Sequence, residues 1–481
     1  MMRKPSPFVL GLSAFLAACG GGGSGGGFSG STPPGAGNGG TPPSTGTCAL
    51  RSRQQWALAQ LREWYLFPET LPANLDPAGY STLEDYVDAL TANARSQGKD
   101  RFFTYVTSRS AEDAFNNQGA SAGFGIQLGF DSAANRVFVI DAYEGAPALA
   151  AGIDRGTEIL AVGTSSGNLQ NVSTLLASGG SQAFIDALGP STAGTSRVLR
   201  VNDAANGTRE VTITKADYSL QPVSPRFGAQ IINDNGHRVG YVNLRTFIST
   251  ADQQLSAAFA SFRAQGITEI IVDLRYNGGG LIDTADHFGD LLGGNRASTD
   301  VFETMAFRPE KSSYNTTHFF RAQPQSVSPT RIAFIGTGGT ASASELVING
   351  MVPFLHANAA LIGTNTYGKP VGQIAIDQTE CDDRFRIIAF SLQNAAHNGN
   401  YFNGLASTVE ASCRASDDIG HQMGDPAEAS TRQALDFIEG RGTCTPITAA
   451  TTQGLRQTQA PRELIMPRRP SAAQFQVPGM F

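Results

Sequence analysis

Apolar residues recur every three or four positions in two stretches near the start of the chain, residues 51–67 and 81–97. This spacing is typical of amphipathic helices. Ser81 and Glu84 form a capping-box pattern at the start of the second stretch. The pattern therefore predicts a helical region over residues 48–119.

After residue 119 the pattern changes to short alternating runs that are typical of β-strands. A small helix is predicted at residues 146–151, and a longer one at 182–189 is followed by two further strands. These elements predict a β-rich domain over residues 120–217.

From residue 218 onward, strand patterns alternate with helix patterns, which is typical of an α/β core. The run Ile270 to Leu274 is continuously apolar and predicts a buried parallel strand. The core is predicted to extend over residues 218–444, and its other expected strands are residues 239–247, 331–336 and 359–363.

A serine and a lysine in this core form a candidate catalytic pair. Ser342 lies where a strand and a Gly/Thr-rich turn lead into a helix, and free backbone N–H groups at such a junction can stabilise an oxyanion. A serine hydroxyl needs a base, and Lys369 supplies one if an apolar pocket lowers its pKa. Gln373 could orient the amine. The pair predicts a serine hydrolase, while a turn serine and a surface lysine stay open as the alternative.

A glycine loop, Asn277-Gly278-Gly279-Gly280, follows the strand that ends at Leu274. Its glycines let the backbone approach a ligand closely and present N–H donors. The loop lacks the Gly-Lys-Ser/Thr ending of a nucleotide site. We interpret Asp273 and Arg275 beside it as a salt bridge that braces the loop.

The motifs TASASE at 340–345, GKPVGQ at 368–373 and DLRYNGGG at 273–280 resemble those of the C-terminal processing peptidases, also called tail-specific proteases. The resemblance implies a catalytic Ser/Lys dyad supported by a glutamine, and a crotonase-like or Clp-protease-like α/β spiral core in a multi-domain chain. It also implies an oxyanion hole built from a glycine amide and the amide after the nucleophile. The residues that match these roles are Ser342, Lys369 and Gln373 for catalysis, with Ala343 and either Gly278 or Gly279 for the oxyanion hole.

Two departures from the family pattern keep an alternative open. Proline follows Lys369 where the family has glycine, and the gap between Ser342 and Lys369 is longer than usual. Proline removes a backbone donor beside the presumed base. The alternative is an inactive member of the family that acts as an adaptor for C-terminal peptides or as a carrier of apolar ligands.

The segment that contains Gly123-Phe124-Gly125-Ile126, with the helix and turn after it, resembles a PDZ domain. The resemblance implies that Gly123, Phe124, Gly125 and Ile126 bind the carboxylate of a protein C-terminus that adds to the domain as a strand. A β domain without a ligand stays open. A peptide groove beside a protease core predicts substrates with exposed apolar C-termini.

The start of the chain resembles a bacterial lipoprotein signal. Arg3 and Lys4 precede an apolar run over residues 8–18 that is too short to span a bilayer. Residues 16–19, Leu-Ala-Ala-Cys, resemble a lipobox, which implies removal of 1–18 and a lipid anchor on Cys19. Glycine at position 20 predicts the periplasmic face of the outer membrane of a Gram-negative bacterium. Plain secretion is the alternative.

Low-complexity composition predicts flexible ends. Residues 19–47 are almost wholly Gly, Ser, Thr and Pro, which predicts a tether. Residues 445–481 are polar with few apolar positions, which predicts a disordered tail.

The four cysteines beyond Cys19 predict disulfides, because export places them in an oxidising compartment. Four cysteines allow three pairings. We favour Cys381–Cys413 within the core and Cys48–Cys444 between the two ends of the folded region.

The composition of the chain argues against several classes of ligand. The formal net charge is −6 and 16% of residues are charged, without a basic stripe, which argues against nucleic-acid binding. The six histidines are scattered and no HExxH or CxxC occurs, so no metal or cofactor is predicted. An acyl-CoA enzyme is disfavoured by the export signal. The sequence thus predicts a lipid-anchored envelope serine endopeptidase acting on protein tails, with an activator protein left open as a further partner.

Overall fold

The computed structural model describes residues 46–447 and 462–481. The signal sequence, Cys19 and nearly all of the predicted tether lie outside the described residues. The described chain begins with a helical region, as predicted, but its second helix is capped one residue later than expected. Thr82, not Ser81, accepts a hydrogen bond from the backbone of Asp85 at 3.1 Å. The elements of this region are α1 Leu50–Trp64, α2 Leu83–Leu90, α3 Ala92–Ser96, β1 Tyr105–Ser108 and α4 Arg109–Gln118.

A β-rich domain follows, and strands β2 and β9 pair at its entry and exit, Ala120 opposite Ser219. Its main sheet has the order β3-β4-β5-β7-β8, with β6 beside β5, and all its pairs are antiparallel. The predicted helix at 182–189 is the second half of a longer helix that is interrupted at Gly180. The elements are β2 Ala120–Gly123, β3 Ile126–Asp131, β4 Arg136–Ala142, α5 Pro147–Ala150, β5 Glu158–Gly163, β6 Gln170–Asn171, α6 Val172–Leu188, β7 Ser196–Asp203, β8 Gly207–Thr214 and β9 Ala216–Ser219.

The α/β core contains a six-stranded sheet of order β10-β11-β12-β15-β16-β19, in which every pair except β10–β11 is parallel. A second sheet joins β1, β18, β13 and β14, with β17 paired to β18. The elements are β10 Ala229–Asp234, β11 His237–Asn243, α7 Thr250–Ala264, β12 Glu269–Asp273, α8 Ile282–Leu292, β13 Val301–Phe307, β14 Thr316–Phe319, β15 Arg331–Gly336, α9 Ala343–Leu355, β16 Ala359–Gly363, β17 Val371–Gln378, β18 Asp383–Gln393, β19 Ala411–Arg414 and α10 Ala429–Ile438.

Parallel pairing brings the glycine loop and the serine turn together. Strands β12 and β15 are neighbours, with Asp273 opposite Ile335. Because the carboxyl ends of parallel strands lie at the same edge of a sheet, the segments that follow both strands meet there. Helix α9 then runs into the apolar core, where Leu346, Val347, Ile348 and Met351 are at most 1% exposed. The alternating strand and helix pattern predicted for 218–444 is confirmed.

The helical region packs against the second sheet. Buried Leu61 and Leu90 of α1 and α2 belong to one apolar cluster with Phe385 and Ile387 of β18. The Arg53 guanidinium also donates two 2.5 Å hydrogen bonds to the Asp383 carboxylate. The prediction that the apolar faces of these helices pack against the core is confirmed.

The disulfide pairing predicted from the sequence is wrong. Cys48 bonds to Cys381, and Cys413 bonds to Cys444. The physical reason is that Cys381 lies in the turn between β17 and β18, against the start of the helical region, whereas Cys413 is in β19 at the edge of the six-stranded sheet. The two cysteines of the favoured core pair therefore lie in or beside different sheets.

The two disulfides are expected to differ in their contribution to stability. The Cys48–Cys381 bond joins residues 333 positions apart, and the Cys413–Cys444 bond joins residues 31 positions apart. Loop-closure entropy then predicts that replacing Cys48 and Cys381 by serine costs about 2 kcal/mol more unfolding free energy than replacing Cys413 and Cys444. Urea denaturation of the two double variants measures the difference. Equal losses would contradict the entropic argument.

The prediction of a disordered tail over 445–481 is wrong for residues 462–481. Strand β20, Glu463–Leu464, pairs with β3, and helix α11, Ala472–Gln476, begins after the N-cap Ser471. Four large apolar residues of the tail are buried: Ile465 and Val477 are 1% exposed, Met480 3% and Phe481 4%, whereas Leu464, Met466 and Phe475 are partly exposed. Ile465 and Phe481 pack into the apolar core of the β-rich domain, and Val477 and Met480 pack with Phe115 and Tyr143. Composition alone does not reveal these partners.

Candidate active site

Ser342 lies in the turn predicted for it, immediately before helix α9. Its backbone has φ 57° and ψ −116°, a left-handed conformation that non-glycine residues rarely adopt. The turn fits closely against the glycine loop, because a Cβ atom added to Gly279 would lie 2.8 Å from the Ser342 Cβ and 3.1 Å from the Ala343 amide nitrogen. Glycine at 279 is therefore what lets the two loops touch.

Glu345 joins the serine turn to the lysine segment, and sequence reasoning assigned it no role. One of its carboxylate oxygens accepts hydrogen bonds from the backbone amides of Ser342 at 3.0 Å and Lys369 at 2.7 Å. The other accepts from the Thr366 hydroxyl at 2.6 Å and the Gly368 amide at 2.7 Å. The side chain is fully buried, and burial raises its pKa while these four donors act in the opposite direction. The Ser-x-x-Glu spacing at the start of the helix is a capping-box pattern, and it could have predicted that Glu345 bonds to the Ser342 backbone.

Lys369 and Gln373 are in direct contact. The Lys369 Nζ donates to the Gln373 Oε1 at 3.0 Å, and the Gln373 Nε2 donates to the Phe103 carbonyl oxygen. Burial lowers the pKa of Lys369 to about 8, while the nearby charges of Asp100 and Glu345 oppose the shift. The amine is therefore partly neutral near physiological pH.

The carbonyl that holds Gln373 comes from the helical region, 270 residues away along the chain. Buried Asp100 fixes that segment, because its carboxylate accepts from the amides of Phe103 at 2.7 Å and Thr104 at 3.1 Å and from the Tyr65 hydroxyl at 2.7 Å. No sequence pattern marks a backbone carbonyl as a partner, so this contact could not be predicted.

The two glycines left open as oxyanion donors have different partners. The Gly279 amide donates to the side-chain oxygen of Asn277 at 2.9 Å, within its own loop. The Gly278 amide instead donates to the Gln476 carbonyl oxygen at 2.8 Å. Gly278 therefore points out of the loop towards a peptide carbonyl, and the geometry favours it over Gly279. Ser344, the second serine of the turn, donates to the Asn277 carbonyl at 3.0 Å and serves to hold the loop.

Asp273 and Arg275 form the brace that was predicted. The Arg275 Nε donates to the Asp273 carboxylate at 2.9 Å, and its two terminal nitrogens donate to Glu428 at 3.0 and 2.9 Å. All three side chains are fully buried. This network ties the strand before the glycine loop to the start of α10.

The predicted carboxylate-binding loop holds the end of the chain itself. The amides of Gly125 and Ile126 donate to a carboxylate oxygen of Phe481 at 2.9 and 3.1 Å. An added Cβ at Gly123 would lie 2.7 Å from the Phe481 carboxyl carbon, so a side chain there would block this position. Phe124 is fully buried and shares an apolar cluster with Phe481.

A cavity of about 1590 Å³ opens beside these groups. Its lining includes Lys369, Gly278 and Ala341 from the core, Tyr105 from β1, and Phe475 and Pro478 from the tail. Within residues 46–447 and 462–481, no group of three or more His, Cys, Asp or Glu side chains is arranged to hold a metal ion. Across the same residues, no helix is both long and apolar enough to cross a membrane.

Parts of the chain are similar to known peptidases. Residues 238–399 match the family model described as Peptidase family S41, and residues 52–105 match the Peptidase S41 N-terminal domain. The chain is 25% identical over 258 residues to a carboxyl-terminal-processing protease of Picosynechococcus sp., covering 53% of this chain and 56% of the relative. It is 25% identical over 339 residues to the chloroplastic C-terminal processing peptidase of Tetradesmus obliquus, covering 68% of this chain and 66% of the relative.

A solved structure of a Bacteroides fragilis protein described as an S41 protease has the same fold, with a TM-score of 0.61 and 21% identity, covering 80% of this chain and 97% of that one. The chain spans between half and two thirds of the length of the two curated relatives. The family matches and these relatives support a serine-type peptidase.

Proposed function

We propose that the chain, whose residues 238–399 and 52–105 match the models of Peptidase family S41 and of the Peptidase S41 N-terminal domain, is a serine endopeptidase that recognises the C-terminal tails of other proteins. The observation that carries the proposal is the shared Glu345 oxygen, which accepts from the backbones of both Ser342 and Lys369. Two hydrogen bonds to one atom hold the backbones of Ser342 and Lys369 close together, although 27 positions separate them in the sequence.

In the proposed mechanism the Ser342 hydroxyl attacks the scissile carbonyl and Lys369 takes its proton. With a pKa of about 8, roughly a tenth of Lys369 is neutral at pH 7 and able to accept that proton. The oxyanion receives hydrogen bonds from the Gly278 and Ala343 amides. The lysine then protonates the leaving amine, and water hydrolyses the acyl-enzyme with the same lysine as base.

Gln373 is a positioning residue in this mechanism. Its Oε1 accepts from the Lys369 Nζ, and its own Nε2 is held by the Phe103 carbonyl. The amide thereby fixes the direction of the amine without adding a charge that would change its pKa.

We propose that the β-rich domain is a PDZ domain that captures substrates by their ends. The Gly125 and Ile126 amides and the adjoining edge of β3 offer what a free carboxylate and an extended peptide need. The apolar cluster around Phe124 favours a large apolar side chain at the terminal position. This pocket supports exposed apolar C-termini as the substrate class.

The alternative of an inactive adaptor rested on the proline after Lys369, and the contacts there weaken it. The amide that this site uses is that of Lys369 itself, which donates to Glu345. Pro370 uses its carbonyl, which accepts from the Leu392 amide at 2.9 Å, and it directly precedes β17. No donor required by the site is lost to proline.

We further propose a lipid-anchored position in the cell envelope, through Cys19. The two disulfides support an oxidising compartment. An apolar helix for crossing the membrane is not needed when a lipid supplies the anchor.

The proposal is tested with a serine-reactive probe and an unstructured reporter protein. We expect the probe to label the peptide that contains Ser342, and Ser344→Ala to retain labelling as the matched control. We expect cleavage of a reporter that ends in an apolar residue, and at least about tenfold slower cleavage of the same reporter ending in aspartate. A reporter that binds but is not cleaved, together with no labelling of Ser342 by the probe, would favour the adaptor.

A further inference from the structure

The last eleven residues of the chain occupy both halves of the proposed substrate site. Phe481 places a carboxylate oxygen on the Gly125 and Ile126 amides, and its own amide donates to the Ile126 carbonyl at 2.8 Å. Two residues earlier, the Gly479 carbonyl accepts from the Leu128 amide at 2.8 Å. The end of the chain is therefore added to the edge of β3 as a strand, as an external C-terminus would be.

The same segment covers the catalytic loops. The Gln476 carbonyl accepts from the Gly278 amide, the donor that the oxyanion requires. The Phe475 ring stacks on the Tyr105 ring with centroids 3.9 Å apart and planes 16° from parallel. A substrate that reached Ser342 in the same way would need the space that these residues fill.

Specific contacts hold this segment in place. The Ser471 hydroxyl caps α11 by accepting from the Gln474 amide at 3.2 Å, and the Gln474 Nε2 donates to the Met480 carbonyl at 2.8 Å. The Gln127 Nε2 donates to the Pro478 carbonyl at 2.6 Å. Arg469, just before the segment, donates to Asp88 of α2 at 2.6 Å.

The geometry at Gly278 is not that of a substrate about to be cut. The peptide at the Gly278 amide belongs to a helical turn, in which the Val477 amide donates to the Ala473 carbonyl at 2.8 Å. Its N–H is thus directed back into α11, whereas a scissile peptide must expose that nitrogen to the base that protonates it. The segment therefore occupies the oxyanion donor but keeps its peptide nitrogen turned away from the base that would protonate it.

We propose that residues 471–481 are a built-in competitor, which substrates ending in a free carboxylate on a large apolar residue must displace from the groove and from Gly278 before cleavage. The effect on cleavage rests on the proposed function. The competition for the groove is a binding equilibrium and can be measured without cleavage. Because the segment is covalently attached, its effective concentration at the groove can reach the millimolar range, so weak contacts suffice to exclude a dilute substrate.

Binding is measured first, in a full-chain Ser342→Ala background that separates it from proteolysis. The probe is a fluorescent peptide with the sequence of residues 474–481 and a free carboxylate, and its C-terminal amide is the control peptide. Gly479→Val should release the segment, because an added Cβ there would lie 2.8 Å from the Leu128 carbonyl oxygen. We expect the released variant to bind the acid at least about tenfold more tightly than the parent, and neither protein to bind the amide.

Two further variants control for strain and for misfolding. Gly207→Val introduces a side chain at a similar positive φ, 66° against 87°, where no atom lies within 4 Å, so it should bind the probe like the parent. A variant extended by alanine and aspartate after Phe481 keeps every native residue but moves the free carboxylate out of the loop. It should bind the probe more tightly, as Gly479→Val does. Equal affinity in the parent, Gly479→Val and the extended protein overturns the proposal.

With Ser342 restored, release should lower the KM for a tail-bearing reporter by a similar factor and leave kcat unchanged, as relief of competition requires. Tighter probe binding without any cleavage would uphold the competitor and refute the peptidase. Mass spectrometry of the intact chain adds an opposite outcome. Loss of the last residues from the wild type but not from Ser342→Ala would identify the segment as a substrate and overturn its role as a competitor.

Discussion

Replacing Ser342 with alanine or Lys369 with methionine is expected to lower kcat/KM for a tail-bearing reporter by at least about a thousandfold. The double variant should lose little more than either single one, because a nucleophile without its base and a base without its nucleophile are equally ineffective. Steady-state cleavage assays on the three variants measure this. Losses that multiply in the double variant would show that the two residues do not act as one unit.

The pH profile gives the dyad a second signature. Since the pKa of Lys369 is lowered to about 8 by burial, the neutral base is depleted below that pH. We expect kcat/KM to fall about tenfold per pH unit below pH 8 and to level off above it. Lys215 has a pKa lowered to about 8 as well, but its Nζ donates to the Gly189 and Pro190 carbonyls in the β-rich domain. Lys215→Met should therefore leave the midpoint of the kcat/KM profile near pH 8.

The same lysine should make the fold less stable. Its folded pKa of about 8 lies below the ordinary value of 10.5, so the unfolded chain binds more protons between these pH values. The free energy of unfolding therefore rises with pH between about 8 and 10.5, and the destabilisation caused by burying Lys369 is fully present below pH 8. Lys369→Met removes the cost, and we expect the free energy of unfolding at pH 7 to rise by about 1–3 kcal/mol. A variant that loses both cleavage and stability would contradict a buried, partly neutral lysine.

The motifs could be read from the sequence because each is a local pattern with a local cause. The strand before Asn277, the turn at Ser342 and the helix after it follow from apolar runs, glycines and capping residues. The tail could not be predicted in that way. Residues 462–481 are ordered because β20 pairs with the edge of β3 and Phe481 is buried beside Phe124. Both β3 and Phe124 are far from these residues in the sequence.

The predicted disulfide pairing was wrong for a related reason. The spacing of four cysteines leaves three pairings, and choosing among them requires knowing which sheet holds each one. Cys381 and Cys413 are 32 positions apart, but the strands near them belong to different sheets. Assigning both cysteines to one predicted core favoured a pair that the topology excludes.

Glu345 shows how a residue inside a recognised motif can hold a site together without reacting. Its carboxylate accepts four hydrogen bonds from Ser342, Thr366, Gly368 and Lys369, all in a fully buried position. Its negative charge also opposes the lowering of the Lys369 pKa. The residue therefore sets both where the base lies and how readily it gives up its proton.

Glu345→Gln is expected to reduce kcat at least about tenfold and to destabilise the protein by about 1–3 kcal/mol, because an amide NH₂ would face the N–H donors that the carboxylate accepts. Removal of the charge should also lower the Lys369 pKa further, so the midpoint of the pH profile should move below 8. The kcat/KM profile from pH 5 to 10 measures the shift of the midpoint, and urea denaturation measures the stability.

Glu428→Gln is the matched control for this substitution. Glu428 is also fully buried and also accepts backbone hydrogen bonds at a helix start, from Ser430 at 3.2 Å and Thr431 at 2.8 Å, but it pairs with Arg275 and not with the lysine segment. It should lose stability without moving the pH midpoint. If Glu345→Gln behaved in the same way, with a midpoint still near 8, Glu345 would be a structural residue alone. A midpoint that moves only in Glu345→Gln would mean that one carboxylate both positions Ser342 and Lys369 and tunes the proton affinity of the base.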